Sequence, residues 1–153
     1  MRKSLYVTIV IFIMGILLLG CSNYDIKRID KVSHYNQIEH HVIEKDKGIN
    51  LTVEASYKNG QMTIVLDNNG LKKLHFGTGY VLEKQKNDKW YQTKYTYNKA
   101  FNDIGIKLKS GKKHTQKAEL KMPDGHYRVI KQLSSSSHGS YDIVIGDTFT
   151  VSE

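Results

Sequence analysis

Residues 51–66 read LTVEASYKNGQMTIVL. Leu51, Val53, Ala55 and Tyr57 alternate with Thr52, Glu54 and Ser56. Met62, Ile64 and Leu66 alternate with Thr63, Val65 and Asp67. An apolar period of two belongs to a strand that buries one face. Between the two runs stands Lys58-Asn59-Gly60-Gln61, and Asn-Gly is the strongest short hairpin signal because both residues tolerate positive φ. The stretch therefore predicts an antiparallel hairpin.

The same reading extends to the C-terminus. Asn68-Asn69-Gly70 is a turn, and Leu71 to Phe76 a short strand that Gly77 and Gly79 break or bulge. Tyr80 to Lys86 and Trp90 to Tyr95 form a second hairpin about Asn87-Asp88. Thr96 to Ile106 has no period and reads as a long connection, with Ala100, Phe101 and Ile104 as core plugs. Past the turn Lys109-Ser110-Gly111-Lys112, His114 to Lys121 is a strand with Gln116, Ala118 and Leu120 on one face. In Pro123-Asp124-Gly125 the proline presets φ and the glycine accepts a positive angle. His126 to Leu133 and Tyr141 to Val151 are the last strands, joined by a serine-rich loop, with Gly146 expected at a bend or bulge. Seven or eight short strands with frequent turns predict an all-β antiparallel sandwich of immunoglobulin type. A single sheet would leave one face uncovered, since no long amphipathic helix competes. An eight-strand barrel is the alternative closure.

Two aromatics carry structural expectations. Trp90, the largest side chain, is expected between the sheets. Tyr127 follows a turn at the start of a strand, where a tyrosine corner bonds its hydroxyl to the backbone a few residues upstream. Phe76-Gly77-Thr78-Gly79-Tyr80-Val81-Leu82-Glu83-Lys84, with Lys89-Trp90-Tyr91, Leu108-Lys109-Ser110-Gly111 and Pro123-Asp124-Gly125-His126-Tyr127-Arg128, resembles the signature of a bacterial Ig-like domain family. Members occur in small lipoproteins and surface proteins. The resemblance covers roughly residues 49–152 and implies a fold; it implies no catalytic residue.

The N-terminus has a different pattern. Arg2 and Lys3 precede Leu5 to Leu19, an uncharged run of about fifteen residues, short of the roughly twenty that span a bilayer. A basic head and a short apolar run match a secretory signal peptide. Leu18-Leu19-Gly20-Cys21 at its end holds the one cysteine of the chain. This junction resembles the lipobox of bacterial lipoproteins, which implies cleavage before Cys21 and a diacylglycerol on its sulfur. Two acyl chains hold a protein stably at a membrane where one does not. The expected organisation is a signal peptide over 1–20, a lipidated tether over 21–48 with a short helix near 36–45, and the sandwich over 49–153.

Loss of Arg2 and Lys3 lowers the formal charge from +8 to +6. The excess is scattered lysine, which reads as a solvated surface or as attraction to an anionic lipid face or acidic wall polymer. No basic helix or arginine cluster supports nucleic acid as a partner. His40 and His41 are adjacent and diverge on a strand or a helix, and His34, His75, His114, His126 and His138 lack zinc-ligand spacing. Ser134 to Ser137 beside His138 has no nucleophile elbow. Gly77-Thr78-Gly79 lacks the third glycine and helix of a phosphate loop. No cofactor, metal or catalytic residue is expected, and Tyr95, Tyr97 and Phe101 read as core plugs or as an exposed aromatic patch. The expectation is a monomeric, membrane-anchored lipoprotein facing outward, with a non-catalytic module for a protein or cell-wall partner. The alternative is an inhibitor or immunity lipoprotein that binds a hydrolase or toxin, near 134–139 or 95–104.

Overall fold

The computed structural model describes residues 31–35, 48–96, 105–137 and 142–152. Every element in them is a strand: β1 (Leu51–Lys58), β2 (Gln61–Asn68), β3 (Leu74–Phe76), β4 (Val81–Lys86), β5 (Lys89–Gln92), β6 (Ile106–Leu108), β7 (Lys112–Glu119), β8 (Gly125–Ser134) and β9 (Ile143–Val151). They form a three-stranded sheet, β1-β2-β7, and a six-stranded sheet in which β8 is central. All pairings are antiparallel.

The hairpin of residues 51–66 forms as its pattern requires. β1 and β2 pair from Leu51↔Asn68 to Lys58↔Gln61. Asn59 and Gly60 take φ of 50° and 78°, the positive angles of a tight hairpin turn. Asn87 and Asp88, at 49° and 56°, do the same between β4 and β5. Leu51, Val53, Met62, Ile64 and Leu66 are buried and meet Leu82, Tyr127, Val129, Leu133, Ile143 and Ile145 from the larger sheet. That apolar contact holds the layers together. Asp147 adds a polar stitch, its Oδ2 accepting from the amide of Ala55 in β1 at 2.7 Å.

β8 has β9 along one edge and two collinear strands, β3 and β4, along the other. Phe76 faces Leu133 and Val81 faces Ile130. Gly77, Thr78, Gly79 and Tyr80 thus lie opposite only Lys131 and Gln132, which makes a double bulge. Of the break or bulge expected at these glycines, the bulge forms, beside β8.

Three expectations are corrected. Gly146 sits opposite Ile130 in a register that runs unbroken from Gly125↔Val151 to Leu133↔Ile143, so it makes no bulge. β3 begins at Leu74, because the amides of Leu71 and Lys72 bond the carbonyl of Gly48 and hold those residues in a loop. Trp90 pairs with Gln85 and shares the outer face with Glu83 and Arg128; it is half-buried there and does not fill the space between the sheets.

Tyr127 is fully buried, and its hydroxyl donates to the carbonyl of Pro123 at 2.7 Å. This is tyrosine-corner geometry. Tyr57 donates to the carbonyl of Leu120 at 2.8 Å, and Tyr95 to that of Lys121. Three tyrosines therefore fasten the 120–123 turn. Tyr95 also packs against the core. Cys21, His40, His41, Tyr97, Ala100, Phe101, Ile104 and His138 lie outside the described residues, as does the helix expected near 36–45.

Candidate binding site

Alternation along β8 sends Tyr127, Val129, Lys131 and Leu133 toward the core. Lys131 is thus a cation among apolar neighbours, and it is fully buried. Its Nζ donates to the carbonyls of Gly77 at 2.9 Å and Gly79 at 2.7 Å, and to Oε1 of Gln116 at 3.1 Å. An ammonium has three N–H donors, and all three are used. Gln116 comes from β7 in the other sheet and donates its amide to the carbonyl of Thr78 at 2.7 Å. Lysine and glutamine together fix the conformation of the double bulge. The Phe76 ring centroid lies 5.2 Å from Nζ. Burial pushes the Lys131 amine down to about 8, since a low dielectric disfavours the charged form. His114, edge-on to Phe76 at 5.1 Å, is held below its ordinary value by burial and then by the charge of Lys131.

On the outer side the bulge walls a cleft of about 250 Å³, lined by Gly77, Gly79, Tyr80, Val81, Gln92, Thr96, Ile130 and Gln132. Thr96 Oγ1 accepts from the amide of Leu82 at 3.1 Å, and Thr93 Oγ1 donates to the carbonyl of Leu82 at 2.9 Å. The chain leaving β5 thereby satisfies the edge of β4 and closes one wall. Gln132 donates from Nε2 to the hydroxyl of Tyr35 at 3.1 Å. Amides, hydroxyls and apolar side chains face the cleft. Such groups hydrogen-bond a ligand without exchanging protons near neutral pH.

Residues 31–35 border the cleft as a strap. Val32 bridges to Tyr91 of β5, and the Ser33 amide donates to the carbonyl of Trp90 at 2.8 Å. Beneath the strap lies a buried ion pair. Arg128 donates from Nε at 3.1 Å and from Nη2 at 2.5 Å to Oε2 of Glu83. Its Nη2 also donates to Ser33 Oγ at 3.3 Å, and its guanidinium stands 4.5 Å from the Trp90 ring centroid. Glu83 and Arg128 face each other across β4 and β8. Both are buried, so each is the other's compensation for lost water.

The family model described as bacterial Ig-like domain matches residues 45–151. The chain belongs to this family. No curated protein matches it. In this Ig-like domain the double bulge falls on the Gly77-Thr78-Gly79 motif that carried the resemblance. Among the described residues no three histidines, cysteines or carboxylates converge as a metal site. Asp142 accepts from the amide of Ser135 at 2.9 Å and from its hydroxyl at 2.6 Å, so the serine loop uses its acid to fix its own turn. Sequence reasoning passed over Lys131, Arg128 and Glu83. The signal was present: the period that buries Val129 and Leu133 also buries Lys131.

Proposed function

We propose that this Ig-like chain is a lipoprotein held by diacylglycerol on Cys21 at the outer face of the cytoplasmic membrane, where its sandwich binds a protein or cell-wall partner without catalysis. The observation that carries the binding role is the lining of the bulge cleft: Gln92, Thr96 and Gln132 beside Val81 and Ile130. These are recognition groups on a rigid frame, and the frame is fixed from behind by Lys131. The anchoring rests on Cys21 at the end of the apolar run. Among the described residues no helix is long and apolar enough to cross a membrane.

The test has two arms. Metabolic labelling with a radioactive fatty acid is expected to mark the native chain and to leave Cys21→Ala unlabelled and released from the membrane. Capture of partners on residues 22–153 is expected to lose a specific partner when Gln132→Ala and Gln92→Ala are combined. Partners retained in full by that variant would remove the cleft from the reading.

A further inference from the structure

The end of the sandwich where the 68–73 and 108–112 loops meet carries an unusual surface. Leu71 is 86% exposed. On these loops and the adjoining ends of β6 and β7, Lys72, Lys73, Lys107, Lys109 and Lys112 are all exposed. The loops that present them are tied together. Asn68 is fully buried and donates from Nδ2 to the carbonyls of Lys72 at 2.8 Å and Leu108 at 3.1 Å. Ser110 donates to the carbonyl of Gly70 at 2.6 Å, and the Gly111 amide donates to that of Asn68 at 2.7 Å. Three acids stand near this end among the described residues, one of them the exposed Glu54, whose charge acts on Lys113. Asp67 is paired with Lys113 at 2.9 Å, and Asp142 is capped by Ser135.

We infer that this end is a membrane-docking face, with Leu71 entering the lipid interface and these lysines resting on anionic headgroups. The inference builds on the proposed lipid anchor. An exposed apolar side chain on the same loops as exposed lysines suits a lipid interface, where apolar burial and charge attraction act together. An acidic polymer would use the lysines and leave Leu71 in water. The tether permits the orientation. Val32 bridges to Tyr91, which stands level with Lys84 and Tyr127. From Tyr127 to Ser134, at this end of β8, is about 23 Å of strand. The chain from Cys21 to Lys31 stretches to roughly 35 Å, enough to return the lipid to the plane of Leu71.

The test uses residues 22–153 without lipid, which contain both sheets entire. Co-sedimentation is measured with phosphatidylcholine vesicles, with and without phosphatidylglycerol. Binding is expected only to the anionic vesicles and to weaken with salt. Lys72→Gln and Lys109→Gln are expected to lower the affinity about fivefold each. Leu71→Ser is expected to lower it at low and high salt alike. Lys58→Gln with Lys121→Gln, at the opposite end, is expected to change nothing. Equal binding to both vesicle types, or no binding to either, would overturn the docking face, as would binding to poly(glycerol phosphate) in place of anionic vesicles. Because the sample carries no acyl chain, a failure here leaves the fatty-acid labelling of Cys21 as a separate result.

Discussion

Replacing Lys131 with Met leaves an apolar stem of similar length in the core and removes the one charge buried on the inner face of β8. In the native chain the amine titrates at about 8 rather than the ordinary 10.5 because it is buried. Below pH 8 folded and unfolded chains both hold the proton, so this group adds no slope. Between pH 8 and 10.5 the unfolded chain holds a proton that the folded chain has released. Stability must then rise with pH, by up to about 3 kcal/mol at 1.36 kcal/mol per pH unit. The carbonyls of Gly77 and Gly79 oppose this by favouring the ammonium, so the figure is an upper value. Near pH 7 the substitution has two opposed effects. It removes a desolvated charge and strands three acceptors, each costing about 1–3 kcal/mol. The informative quantity is therefore the pH dependence of the difference between native and Lys131→Met. Urea unfolding at pH 7 to 10.5 supplies it, and subtraction cancels the surface lysines and the tyrosines. His114, the titratable neighbour whose value Lys131 lowers, changes charge below this window. The native chain is expected to gain on the variant steadily above pH 8. A difference that stays flat to pH 10.5 would show that the amine keeps its ordinary proton affinity, and the account of the buried lysine would fail.

Glu83→Gln leaves Arg128 buried without its carboxylate and is expected to cost about 3–5 kcal/mol, read by urea unfolding; joining it to Arg128→Met should recover most of the loss. Tyr127→Phe removes the bond to Pro123 and should cost about 1 kcal/mol by the same measurement, with the fold unchanged by circular dichroism. A Cβ on Gly70 would meet the Asn50 amide nitrogen at 2.5 Å and the Gly48 oxygen at 2.7 Å; Gly70→Ala is expected to lose about 1–3 kcal/mol and to lower thermal stability, since backbone must move.

The sandwich was legible because its core strands keep a strict period. β1 and β2 show it in every inward residue, and the Asn-Gly turn fixes their register. Tyr127 was legible for a similar reason, since a turn and a strand start place it at a corner. Trp90 was misread because size alone suggests burial. The face it occupies is set by its pairing with Gln85, and a single sequence does not display pairing partners. Gly146 was misread because a glycine in a strand usually marks a bulge, whereas β9 stays in register with β8 throughout. The double bulge was visible as two glycines but not as a site. Its lysine clamp joins β8 to β7 and to the 77–79 segment, residues far apart in the chain. Arg128 and Glu83 were hidden in the same way, as cross-strand neighbours covered by a strap from residues 31–35.

The proposed lipid on Cys21 would set where this surface chemistry takes place, so the N-terminus of the mature protein is the decisive observation. Mass spectrometry of protein extracted from membranes is predicted to find Cys21 as the first residue, its sulfur bearing a glycerol with two acyl chains. A mature chain that starts elsewhere, or whose Cys21 carries a bare thiol, would contradict the account.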